Sequence, residues 1–472
     1  MPPLSIAPSR RTVAAGLAAT LVGLPRLAGA QPSATGVGSA AGSERILRAA
    51  PLQRRLKPEA PAEAALWAFD GQVPGPVVRV RQGEELRLRL ANDTPAPLSL
   101  HWHGLRGPNA MDGVGGLTQA PVAPGQSFEY RFTPPDAGTF LIRPCVIGGT
   151  AEPLERGLSG ILVVEEASAA PVDQDLALVV DDWRLAEDGA LAPFGAPMDA
   201  AAGRLGNWLS VNARAIPERI EVPPGARVRL RLASACNARA MRIRFDGLKP
   251  YVVAVDSVPT DTFEPLRASL PFIPGSRYDL LVDMPSETGA SGSVVALLGE
   301  GVPLVTLVTA GEPTEKRRPA LPPIAPLARS TRLPPTIRLQ NAARKDVVIR
   351  TSLRPDQPAG PPSGPNRPWT VNGSAGTAGM PPLVSVKRGS PVVLALMNQT
   401  PVPQPFHLHG HAFRMLHPFD DGWEPYWVDT LLIPENKTVR IAFDADNPGK
   451  WLLASTVAER FDAGLWTWLE VK

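Results

Sequence analysis

Apolar and polar positions alternate along this chain in short runs, and a period of two predicts strands rather than helices. In RQGEELRLRLANDTPAPLSLHWHG, Leu86, Leu88 and Leu90 alternate with Arg87 and Arg89 after a glycine turn at Gly83, and a polar loop then leads into a second strand. The same plan recurs as PPGARVRLRLASACNARAMRIRFDG around Gly225 and as KRGSPVVLALMNQTPVPQPFHLHGH around Gly389. From Gly83 to His101 is 18 residues, and from Gly389 to His407 is again 18. Repeats at intervals of roughly 150 residues are whole domains rather than solenoid units. The pattern therefore predicts an all-β fold with domains at 46–168, 172–312 and 336–472, and a Pro-rich linker at 313–335.

The first and third domains close on a second related element. PGQSFEYRFTPPDAGTFLIRPC aligns with PENKTVRIAFDADNPGKWLLAST, Gly138 on Gly449 and Phe140 on Trp451. Arg143 and Cys145 then occupy the positions that Ala454 and Thr456 occupy in the third domain.

Composition supports this reading. Proline (55) and glycine (42) together disfavour long helices and suit short strands joined by turns. No apolar run long enough to span a bilayer occurs beyond the N-terminus, so no membrane span is expected. Lys and Arg (48) nearly balance Asp and Glu (45), and no basic stripe is interleaved with aromatics, which argues against a nucleic-acid partner. At the N-terminus, Ser9-Arg10-Arg11-Thr12-Val13 precedes an alanine- and leucine-rich stretch to Leu24, and Ala28-Gly29-Ala30 supplies small residues for cleavage. This reads as a twin-arginine signal peptide over 1–30 and a periplasmic mature protein. The periplasm permits disulfides, but Cys145 and Cys236 lie 91 residues apart in different domains and are expected to be two buried thiols rather than a bridge.

Four of the six histidines fall in two His-x-His pairs. Residues i and i+2 of a strand share a face, so His101 with His103, and His407 with His409, each present two imidazoles in one direction. A single such pair is as consistent with a solvated strand face as with a ligand pair. Two pairs at matched repeat positions favour metal, for which copper or zinc suits neutral imidazole. His411 is expected behind the ligands or in the core, and His417 at the surface.

With these residues in view, the chain resembles the three-domain multicopper oxidases, of the laccase and bacterial copper-efflux oxidase type, over essentially all of its mature length. The resemblance rests on FDGQVPGPVVRVRQGEELRLRL, HWHGLRGPNAMDGVGGLTQAPVAPGQSFEYRF, AGTF, RGLSGILVV, DDWRL, HLHGHAF, NPGKW, DAG and TWLEV. It implies three cupredoxin-like Greek-key β-sandwiches, the first and third meeting at a trinuclear copper cluster.

Position by position, the resemblance also implies losses. The family's first motif, H-x-H-G, is intact at His101 and His103, whereas its second falls on Arg143 and Cys145. The third keeps His407 and His409 but has Gln404 where a blue-copper histidine belongs. In the last, Ala454, Ser455 and Thr456 replace H-C-H, Arg460 replaces the second blue-copper histidine, and Leu465 takes the axial methionine position. Blue copper requires a thiolate and two imidazoles, none of which remains. Each copper of the binuclear pair keeps one histidine, His103 or His409. The mononuclear copper keeps both, His101 and His407. Arg143 and Arg460 are expected to stand in for missing metal charge and to pair with acids such as Asp112 or Glu459.

Two function classes follow. One is a periplasmic copper-binding protein, holding one copper (zinc being the other candidate) with at most weak oxidoreductase activity. The other is a metal-free scaffold that binds a cell-envelope or division partner, as the family's copper-free cell-division member does.

Overall fold

The computed structural model describes residues 44–196, 198–316, 318–353, 367–417 and 422–472. The expected signal peptide lies outside them. Helices among the described residues are single turns such as Ala151–Glu155 and Ala458–Asp462, and none is long and apolar enough to cross a membrane.

The strands form six sheets, two to each of three sandwiches. In the first, Arg45–Arg54, Ala64–Phe69, Leu86–Asn92 and Ser127–Phe132 make one sheet, and Val78–Arg81, Leu100–His103, Gly138–Pro144 and Gly160–Glu165 the other. The alternation read from the sequence fills the space between them. Leu86, Leu88, Leu90, Tyr130 and Phe132 from one sheet pack on Leu100, Trp102, Phe140 and Ile142 from the other. The second sandwich has sheets of seven and five strands, the third two sheets of five. A parallel pair recurs in all three: Arg45–Arg54 with Leu86–Asn92, Gln174–Trp183 with Arg227–Ser234, and Ala343–Thr351 with Ser390–Asn398.

The second sandwich departs from simple alternation, because every residue of Arg227–Ser234 is buried. The arginine face of that strand is covered rather than solvated. Arg231 reaches Thr139 of the first sandwich at 2.9 Å, and Arg229 bridges Glu166 at 2.7 Å and Asp279 at 2.5 Å. Such buried guanidinium–carboxylate bonds fix how neighbouring units sit more than they add stability.

Strand register bears out the proposed equivalence of the closing elements. His101 lies cross-strand from Arg143, and His407 cross-strand from Ala454. Cross-strand partners share a face, so Arg143 and Ala454 are the side chains beside the two histidines. Cys145 and Cys236 are free and buried, as expected of two unbridged thiols.

Candidate metal centre

The Leu100–His103 strand of the first sandwich and the Gln404–Leu408 strand of the third bring His101, His103, His407 and His409 to one cavity, and all four side chains are buried. The glycine ending each motif is required by geometry. Gly104 and Gly410 both have positive φ, and a Cβ there would run into the Arg277 guanidinium and the Trp451 ring respectively.

The imidazoles interleave across the two sandwiches. His101 stacks on His409 with ring centroids 3.8 Å apart, and His103 stacks on His407 at 3.7 Å. An aspartate stands behind each pair. His101 Nδ1 donates to the backbone carbonyl of Asp112 and His407 Nδ1 to that of Asp429, each at 2.9 Å. The Asp112 carboxylate accepts from His409 Nδ1 at 3.0 Å. His103 Nε2 meets the Thr430 hydroxyl at 2.8 Å, and that hydroxyl is 2.8 Å from the Asp429 carboxylate.

These partners fix the tautomers. A carbonyl can only accept, so the Nδ1 atoms of His101 and His407 carry the protons and their Nε2 atoms carry lone pairs. Yet those two Nε2 atoms face each other at 3.3 Å. Two acceptors at that separation need a cation or a proton between them. Nitrogens each about 2.0–2.1 Å from one ion lie no more than about 4 Å apart, so the pair fits a single metal ion.

Electrostatics keeps His103, His407 and His409 in their ligand form. Burial, and then the charges of His407 and Arg277, hold His103 well below the ordinary histidine range. Burial, followed by the neighbouring His101, lowers His409 to about 3, and burial also lowers His407. Burial alone would raise Asp112, but His409 and His101 outweigh it and hold the carboxyl well below the usual range. Asp429 is held down likewise, chiefly by Arg277 against burial. Arg277 is fully buried and bonds Asp429 at 2.5 and 3.1 Å.

The other family sites do not fit copper. Arg143, Cys145, Ala454 and Thr456 line the same cavity at the positions of lost ligands. A guanidinium and a methyl group offer no lone pair, and burial raises the Cys145 thiol away from thiolate. At the blue-copper position Arg460 Nη1 donates to Gln404 Oε1 at 2.9 Å, so the two residues that replace the histidines are bonded to each other. Arg460 also donates to the carbonyls of Pro403 and Ala201, at 2.9 and 3.1 Å, and lies over the Trp369 ring. Ser455 Oγ accepts the Val457 amide, and Leu465 is buried in apolar core.

The expected ion pairs of the two arginines are not formed. Asp112 is committed to histidines, and Glu459 accepts from Asn237 at 2.7 Å. Arg460 is satisfied by neutral oxygens instead. His411 is buried against Phe443 and Trp451, with Nδ1 3.3 Å from the His409 carbonyl, so it backs the cavity. His417 is partly exposed. Asp429, Thr430 and Arg277 had no signal in the sequence: Asp112 follows its histidine by 11 residues and Asp429 follows His407 by 22, so no common spacing marks them.

Comparison with known proteins agrees with this geometry. Three multicopper oxidase family models match residues 53–169, 198–292 and 350–472. The multicopper oxidase MmcO of Mycobacterium tuberculosis is 27% identical over 82% of this chain and 79% of its own length. A laccase of Botryotinia fuckeliana is 25% identical over 84% of this chain and 77% of its own. Among solved structures, a multi-copper oxidase from Pseudomonas thermotolerans superposes with a TM-score of 0.80 at 31% identity, covering 91% of this chain and 99% of that one. Lac15, from a marine microbial metagenome, gives 0.72 at 30% identity over 91% and 100%. The chain belongs to the multicopper oxidase family.

Proposed function

We propose that this protein is a periplasmic copper-binding member of the family that keeps one mononuclear copper, on His101 and His407, and has lost the blue and binuclear sites. The observation that carries this reading is the 3.3 Å approach of two Nε2 lone pairs whose Nδ1 protons are already committed to carbonyls. His103 and His409 stack on these ligands and line the same cavity, and both are available to turn toward the ion. Copper bound there would supply a single one-electron centre. The protein's own part is to hold two neutral imidazoles, to exclude bulk water by burial, and to balance charge through Asp112 and Asp429.

Oxidation of phenols by the laccase route needs an entry copper, and Gln404, Ser455 and Arg460 do not support one. Turnover of a phenolic substrate by copper-loaded protein is therefore expected to match that of free copper at equal concentration. Saturable oxygen consumption well above that baseline would overturn the reading. A second reading, a metal-free scaffold for a cell-envelope partner, is favoured by one observation: the Arg143 guanidinium lines the histidine cavity, where it opposes a cation.

A further inference from the structure

The two walls of the histidine cavity are unequal. Beside His101 stands Arg143, and beside His407 stands Ala454, so at these matched positions one wall carries a guanidinium and the other a methyl group. Arg143 is 7% exposed, and among the described residues its side chain makes no hydrogen bond and meets no carboxylate at ion-pair distance. The acids that act on it, Glu459, Asp462 and Asp181, do so from further away. Asp462 accepts the amides of Thr150 and Ala151 at 2.8–3.0 Å, and Glu459 accepts from Asn237 through Oε1 while its Oε2, out of reach of Arg143, is buried with no partner. A second polar group lines the cavity from the opposite wall: the Thr456 hydroxyl, buried with no partner.

A buried guanidinium without acceptors is costly, and native interiors rarely leave one so. Its complement is an anion, preferably planar, because the fork of N–H groups binds two oxygens side by side. Space sets the size. The cavity leaves about 30 Å³ for the centre of a water-sized sphere, against roughly 10–15 Å³ for one water, so it has room for two or three such groups.

We propose that this cavity binds a small planar monoanion, of the class of nitrate, formate or hydrogencarbonate, on the Arg143 guanidinium, with the Thr456 hydroxyl as a further donor. The site belongs to the metal-free protein and does not rest on the copper reading. An anion there would also offset the positive charge that opposes copper at His101 and His407.

The test uses metal-free full-length protein and sodium nitrate, with sodium sulfate at matched ionic strength as the reference. Nitrate should give a saturable isotherm by calorimetry and sulfate none, and the saturable part of any rise in melting temperature should be confined to nitrate, since sulfate stabilises without saturating through its exclusion from the protein surface. Arg143→Met should abolish the nitrate effect while melting no lower than the parent without anion. Arg143→Lys, which keeps the charge but loses the fork, should bind nitrate at least tenfold more weakly and serves if the methionine variant does not fold. Nitrate and sulfate acting alike on the parent, or Arg143→Lys binding nitrate as tightly as the parent, would overturn the proposal. Loss of nitrate binding would leave the copper stoichiometry untouched, so the two readings fail separately.

Discussion

Replacing Arg277 with methionine removes the cation that holds the second and third sandwiches together behind the histidines. The guanidinium is fully buried, bonds Asp429 at 2.5 and 3.1 Å and the Gly275 carbonyl at 2.7 Å, and lies 3.7 Å from Asp256. Its own pKa is raised: burial opposes the charged form, but Asp429 and Asp256 outweigh burial, so the network is net favourable to the charge. Without it, Asp429 is left in the interior with no counter-charge, beside an Asp256 carboxyl that burial and Asp429 already push up to about 7. Breaking a buried pair in this way costs about 3–5 kcal/mol, which for three sandwiches unfolding as one compact unit lowers the melting temperature by roughly 3–5 °C. Thermal unfolding of the parent, Arg277→Met, Asp429→Asn and the double variant measures it. The double variant should lose at least about 2 kcal/mol less than the sum of the singles, because neutralising Asp429 removes the charge that the first change strands. Copper affinity should fall in Arg277→Met as well, since the Asp429 carbonyl and Thr430 position His407 and His103. A loss below about 1 kcal/mol, or strict additivity, would refute the reasoning.

Two further outcomes are expected. Because Ser455 supplies no thiolate and Gln404 and Arg460 are bonded to each other, copper-loaded protein should lack the intense blue absorption near roughly 600 nm of cysteine-ligated copper; a strong band there would show that the last motif is misaligned. His409 is lowered to about 3 by burial, so below the ordinary histidine value of about 6.5 the unfolded chain binds a proton that the folded protein refuses, and this contribution to stability falls as pH falls. In metal-free protein, the stability difference between parent and His409→Gln should therefore move in the variant's favour by about 2 kcal/mol between pH 7.5 and pH 5, and a pH-independent difference would show that His409 takes up its proton in the fold as readily as in the unfolded chain.

The histidine face was legible because a strand's period of two is rigid: once His101 and His103 are on a strand, their common direction follows. Matched spacing then brought the third-domain pair into the same role, and strand register made Arg143 and Ala454 their neighbours. Contacts formed across sandwiches were not legible. Asp429 meets His407 through its backbone carbonyl as well as its carboxylate, from a strand that no spacing in the sequence ties to the histidine, and Arg277 comes from a sandwich with no histidine at all. The fate of the two arginines was misjudged for a related reason. Charge alone suggested acidic partners, whereas Arg460 found neutral oxygens of Gln404, Pro403 and Ala201 already aimed at it. The arginines of Arg227–Ser234 show the same limit: alternation places them on an outer face, and only the neighbouring sandwich decides that this face is buried.

Copper titration of metal-free protein, followed by electron paramagnetic resonance, tests the central claim most directly. The account predicts one tetragonal Cu(II) signal with imidazole nitrogen couplings, saturating near about one equivalent per chain, and its disappearance in His101→Ala/His407→Ala. Equally weak, non-saturating copper binding by the parent and the double variant would contradict it.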